Sequence, residues 1–289
     1  MSTRTWQNLS GDFANSNGNW GTAIVDGDSA LMPKNDYDIT TTITALGAKA
    51  LVDLLIGNQF THSLGAPGAP ATAGTCTGKL EIDAPLSSQI CISPTAWPTA
   101  IVKNCSSQTY GVFFVAGAVT ELIVSCAGRV RVGTGMTITR IRMNSGTLDI
   151  ERGATITDIE QGGGIINDYA GFSGVHYGNG GTYDLIDDQA VTTASLTGIG
   201  TFRGGPGWRG RIIAKCTIAN IKGNGAGVLD FGMDGRPKIV TNGTIQGGFA
   251  LRISNSIVTA SNAIVIDGGQ LTGNFAPGSA APTFIDLPK

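Results

Sequence analysis

The chain is 289 residues long, with 43 glycines, a formal net charge of −2 and only 14% charged residues. That length admits one extended domain or two smaller ones, and so few charges leave much of the surface to Ser, Thr, Asn and Gly. There is no Lys/Arg run to meet nucleic-acid phosphates, no apolar run long enough for a membrane span, and no hydrophobic signal segment in Met1 to Trp6, so the reading is no nucleic acid, no membrane, and synthesis in a cytoplasm without a signal peptide.

In chain order, Trp6 and Trp20 flank a polar Asn/Gly/Ser stretch and are expected to cap the open end of a stack. Asp26-Gly27-Asp28 reads as a glycine-centred turn rather than a calcium ligand pair. From Thr44 to Asn58 the apolar positions suit a helix face, while Thr40 to Thr42, Gly47 and Gly57 oppose one. The segment is either a short capping helix or a first coil. The order Trp6, Asn19-Trp20, Gly27-Asp28, Leu55-Ile56-Gly57-Asn58-Gln59-Phe60-Thr61 and Leu64-Gly65 resembles the opening of β-helical virion structural proteins of tailed bacteriophages, the head-fibre and decoration type. The resemblance covers roughly residues 1 to 65 and brings no catalytic residue with it. It implies a structural or attachment role in a virion, with capsid or other virion proteins bound through one terminus.

After a Pro/Gly/Ala stretch over residues 66 to 75, short strands are predicted at Lys79 to Ile82 and Gln89 to Ile92, then a corner at Pro94 and Pro98 around Trp97. Ala118 to Gly171 carries the strongest signal, a repeat with a period of 18: AVTELIVSCAGRVRVGTG, MTITRIRMNSGTLDIERG, ATITDIEQGGGIINDYAG. Gly128, Gly146 and Gly164 share one column, and Gly117, Gly135, Gly153 and Gly171 another. Short period-two runs with glycine corners, and no intervening helical pattern, predict an all-β fold: a single-chain parallel β-helix whose middle coils have that same period. Its expected parts are a capping or attachment region over 1–65, the β-helix over 66–272 and an extended tail over 273–289. Val130, Leu148 and Ile166 are expected to form one internal ladder, and Ile123, Ile141 and Ile159, with Cys105, a second. Arg131–Asp149, Arg140–Asp158 and Arg142–Glu160 each lie 18 apart and are expected as cross-coil ion pairs that fix register. A left-handed hexapeptide helix is disfavoured, because the every-sixth position runs into Arg142 and Glu160. Ile138 and Ile156 share parity with those charges, which predicts an exposed apolar stripe and self-association, with a homotrimer favoured.

Residues 169 to 181 break the period and predict a protruding loop. Beyond them Asp184, Asp187 and Asp188 precede Arg203, Arg209, Arg211 and Lys215, with Trp208 among the arginines. A β-helical polysaccharide lyase would need acidic calcium ligands and a cationic base, which Asp184, Asp187, Asp188, Arg203 and Arg209 could supply. Ordinary ion pairs are the favoured alternative. His62 and His176 are the two histidines, and no Gly-x-Ser-x-Gly or His-Glu-x-x-His motif accompanies them. His176 lies 18 after Asp158 and reads as a loop histidine rather than that carboxylate's partner. The five cysteines form no Cys-x-x-Cys spacing, so neither metal nor cofactor is expected. Trp208, Phe284 and Ile285 are the remaining interface candidates, the last two in a proline-bearing tail. A virion structural protein is thus the first reading; a tailspike-like polysaccharide lyase or hydrolase, and a surface adhesin, are the alternatives, with a host-surface glycan as a further partner.

Overall fold

Parallel pairing joins strand to strand throughout the computed structural model, which describes residues 2–7, 24–35, 38–39, 49–85, 87, 89–106, 111–187, 196–253, 258–274 and 283–287. Every regular element among the described residues is a β-strand, and the fold is the parallel β-solenoid expected. The chain divides into two units, Met1–Thr155 and Ile156–Lys289.

The first unit contains β1 (Thr3–Thr5), β2 (Ser29–Asn35), β3 (Leu54–Phe60), β4 (Ala71–Thr75), β5 (Lys79–Ala84), β6 (Ile90–Cys105) and β7 (Val112–Ile150). Ala30, Leu54, Leu80, Ala100 and Leu122 stand opposite one another on successive coils, and Met32, Ile56, Ile82, Val102 and Val124 form a parallel row. None is more than 1% exposed. Each buried Leu or Ile contributes about 1.5 to 3 kcal/mol of transfer free energy, so these two rows are the core. The pairing of β1 with β2, β2 with β3 and β3 with β5 shows that the ladder runs inside residues 1–65 and crosses the expected boundary without a break. Leu54 to Asn58 is strand, because Leu54 and Ile56 point inward and Leu55 outward; residues 40–48, Trp20 and Asn19 lie outside the described residues.

Aspartates tie the early coils together. Gly27 has φ 82°, so Asp26-Gly27-Asp28 is the expected turn. Asp26 accepts the Ala50 amide, and Asp28 accepts the Ser2 amide and hydroxyl and Arg4 Nε at 3.1, 3.0 and 2.8 Å. The Arg4 guanidinium beside Asp28 holds its carboxyl well below the usual range. Asp38 and Asp53 likewise accept the Ser63 and Lys79 amides.

Two predicted groupings in this unit change. The Glu151 amide donates to the Val132 carbonyl at 2.8 Å, a bond that sets a step of 18 in a parallel ladder, and Val130 and Leu148 are fully buried as expected. Ion pairs also form at longer offsets than the 18 predicted: Arg129 meets Asp149, Arg131 meets Glu151 and Arg142 meets Glu121, at 20, 20 and 21. A long arginine can lean along the strand to a diagonal acid. Ile123 is not an inner rung. It pairs with Ile101 on the outer face, in a half-buried row with Leu31, Leu55 and Glu81, while Ile141 and Ile159 are buried. Ile138 and Ile156, predicted as an exposed stripe, are 0% and 2% exposed. The reason is a change of parity at a corner: Thr139 and Arg140 both face outward, as do Thr157 and Asp158, so each isoleucine before and after the step turns in. The stripe that pointed to self-association is core.

The second unit contains β8 (Thr155–Gln161), β9 (Ile165–Asp168), β10 (Val175–Gly178), β11 (Thr182–Ile186), β12 (Leu196–Gly204), β13 (Arg209–Ile213), β14 (Cys216–Asn224), β15 (Val228–Asp230), β16 (Lys238–Gln246), β17 (Ala250–Arg252), β18 (Val258–Ala260), β19 (Ile264–Asp267), β20 (Gln270–Thr272) and β21 (Phe284–Asp286). Coil length here varies. Ile159 pairs with His176 at a step of 17, His176 with Phe202 at 26, and Phe202 with Ile221 at 19. The inner row continues through Gly243 and Ile264 to Phe284. A second inner row runs Ile166, Tyr183, Gly210, Leu229, Leu251. Residues 169–181 are therefore not a protruding loop: Val175–Gly178 is a rung, with His176 fully buried. The expected tail also forms a rung, since Phe284–Asp286 pairs with Ile264–Ile266; Phe284 is half-buried and Ile285 is 45% exposed.

Candidate functional site

The carboxylates nominated for catalysis are already engaged. Asp184 is buried and accepts a fork from Arg211, with Nε at 2.5 Å. The pair belongs to a row in which Asp184, Arg211, Asp230 and Arg252 face one another on successive coils, alternating in sign. Asp187, also buried, lies 3.8 Å from Arg236 Nη1, which donates to the Asp187 carbonyl at 3.0 Å. Arg236 also pairs with Asp234, and so does the fully buried Lys238. Asp188 lies outside the described residues. Asp158, expected to meet Arg140, accepts the Val175 amide at 2.8 Å.

Inside the same unit lies a polar knot that spacing did not announce. His176, Phe202 and Ile159 share one row, and the next inner row reads Gln161, Gly178, Gly204, Gly223. Three glycines in succession leave a void, and it is filled by Trp208 and Phe249: a Cβ on Gly204 would meet Phe249 Cε2 at 2.5 Å and Trp208 Cε3 at 2.7 Å. Trp208, nominated for an interface, is therefore 1% exposed. Its Nε1 donates to Gln161 Oε1 at 3.1 Å, and His176 Nε2 lies 3.2 Å from the same oxygen. Gln161 Nε2 is used on the Thr182 carbonyl at 2.9 Å, so the oxygen accepts and His176 carries its proton on Nε2. Burial among Phe172, Tyr183, Phe202 and Trp208 pushes the imidazole down to about 3. Asp168, fully buried, has its carboxyl raised by desolvation, against the Tyr183 hydroxyl at 2.7 Å and the Ala170 and Gly171 amides, both at 2.8 Å. A neutral histidine and a desolvated carboxyl sealed in a core specify packing; neither reaches a substrate.

The outer face offers what the interior does not. Tyr177, Arg203 and Lys222 stand directly opposite one another on β10, β12 and β14. With Asn179, Pro206 and Asn224 they line a groove of about 430 Å³, floored by Gly204, Gly205 and Gly225. The Arg203 guanidinium lies over the Tyr177 ring, 5.0 Å from its centroid. Tyr177 is 40% exposed. A smaller groove of about 250 Å³ sits beside the ion row, lined in part by Ile165, Arg209, Val228 and Arg252. Of the predicted set, then, Arg203 and Arg209 line separate grooves, and Asp184 and Asp187 serve ion pairs.

One corner bears an amide ladder: Asn220 Nδ2 donates to Thr201 Oγ1 at 3.1 Å, Asn242 to Asn220 at 3.0 Å, and Asn262 to Asn242 at 2.7 Å. The steps of 22 and 20 between the asparagines depart from the period of 18 that marks the middle coils. Comparison with protein-family models, with curated proteins and with solved structures finds no match to this chain.

Proposed function

We propose that the chain is a non-enzymatic structural protein of a virion surface, a decoration or fibre component of the kind its opening residues resemble. What carries the reading is the use made of its carboxylates: Asp184 and Asp187 are buried against Arg211 and Arg236, and Asp168 is sealed in the core. A lyase or hydrolase needs acids free to hold a cation or move a proton at a substrate. Parallel rungs, ion rows and an amide ladder instead serve to hold one coil on the next, as a surface component exposed to shear and proteases requires.

The test is co-purification. Particles from a host carrying the gene are banded on a density gradient and their peptides identified by mass spectrometry. Stoichiometric recovery in the particle band is the expected result, and recovery in the soluble fraction alone overturns the proposal. Release of new reducing ends from capsular or pectate-like polymers by the purified protein, lost in Asp184→Asn, would replace it with the depolymerase reading.

A further inference from the structure

The groove lined by Tyr177, Arg203 and Lys222 breaks a pattern that the ion row of its unit keeps. Where charges face each other on neighbouring coils of β11, β13, β15 and β17, they alternate: Asp184, Arg211, Asp230, Arg252. On β12 and β14 two cations, Arg203 and Lys222, occupy the same register position. Opposed like charges on adjacent strands are destabilising, and neither cation forms an ion pair among the described residues. The next rung along is Thr244, and the rung before Tyr177 is Glu160, which is not among the residues that line the groove. The two cations thus face the groove without a protein acid between them.

The other lining groups narrow the choice of anion. Asn179 and Asn224 offer carboxamides, able to donate to and accept from hydroxyls; Pro206 and the Tyr177 ring offer flat apolar surface. Stacking on Tyr177 holds the Arg203 fork in place before any ligand arrives, which reduces the rotamer freedom lost on binding. The volume lies in the range of small-ligand sites. Fixed cations, paired amides and apolar faces together match a pyranose that carries a carboxylate. A nucleic acid is less well matched, because two cations with no further Lys/Arg run supply little of the phosphate neutralisation that such binding rests on. We propose that this groove binds an acidic glycan, with Arg203 and Lys222 on the sugar carboxylate, Asn179 and Asn224 on hydroxyls, and Tyr177 and Pro206 against the ring. The proposal does not depend on the virion reading, since binding and particle association are measured separately.

Trigalacturonate is the probe, titrated calorimetrically into the full-length protein, with its methyl ester and a single-stranded oligonucleotide of equal charge as comparisons. Trigalacturonate is expected to bind at least about tenfold more tightly than the ester and to weaken about tenfold in Lys222→Gln and in Arg203→Gln, as loss of a charge-assisted hydrogen bond requires. Lys103→Gln, in the other unit, is expected to leave affinity unchanged. Thermal unfolding guards against a folding artefact: Lys222→Gln removes an opposed like charge, so its melting temperature should equal or exceed that of the wild type. Equal affinity for the ester, tighter binding of the oligonucleotide, no heat with trigalacturonate, or full affinity in both variants would each overturn the assignment.

Discussion

His176 shows how one residue can look functional in sequence and be structural in the fold. It lies 18 after Asp158, yet the coil there steps by only 17, which places it on the inner row opposite Ile159. Its ring is neutral, donates to Gln161 and is pushed down to about 3 by burial, below the value of about 6.5 that the unfolded chain has. A group whose folded value is depressed gives its full stabilisation above the unfolded value and loses it as pH falls towards the folded one. His176 should therefore stabilise the fold fully above about pH 6.5 and progressively less down to about pH 3. Asp168, raised by burial, acts in the opposite direction, favouring the fold as its carboxyl protonates, so it cannot be the source of that decline. The groups facing the imidazole are Gln161, Phe172, Tyr183, Phe202 and Trp208, none of which changes charge in this window. Urea midpoints at about pH 7.5 and pH 5 should differ in the wild type and converge in His176→Phe. An unchanged wild-type midpoint would count against a neutral buried ring.

At the scale of the strand, what could be read from sequence was alternation and spacing, and what could not was where alternation slips. The inner rows through Val130 and Leu148, and the glycine corners, follow from period two and from the repeat at 18. Gly146 needs its φ of 86°, while Gly128, in the same column, is glycine because a Cβ would collide with the Ser106 carbonyl one coil away. Ile138 and Ile156 were misplaced for a single reason. Two consecutive outward residues at a corner, Thr139-Arg140 or Thr157-Asp158, reverse the inside and outside of everything beyond, and no residue type marks that step. The ion rows were readable in kind, and arginine is long enough to reach a diagonal acid as well. They still matter energetically where one partner is buried. Arg211→Met leaves the Asp184 carboxylate, at 6% side-chain exposure, without its counter-charge, whereas Arg211 itself is 41% exposed and screened. A loss of about 2 to 3 kcal/mol is expected from urea denaturation, recovered in large part by Asp184→Leu added to the same chain. A loss under about 0.5 kcal/mol would mark the row as surface decoration.

Within each unit, each coil rests on the one before it and supports the one after, so stability is assembled locally. The groove, the ion row and the amide ladder of the second unit occupy different outer positions of the same coils and share no side chain, which lets affinity at Arg203 and Lys222 change while Asp184 and Arg211 go on holding register. The parts that sequence left hidden, Gln161 beneath Trp208 and the facing cations, depend on pairings at separations of 47 and 19, neither of which is the repeat's period of 18.

Between consecutive coils the step lengthens from 17 to 26 or 27, the extra chain falls between Ile186 and Ile199, and the rungs on either side stay aligned. One coil can therefore be much longer than its neighbour without loss of register. A scaffold of this kind can display new epitopes without renegotiating its own architecture.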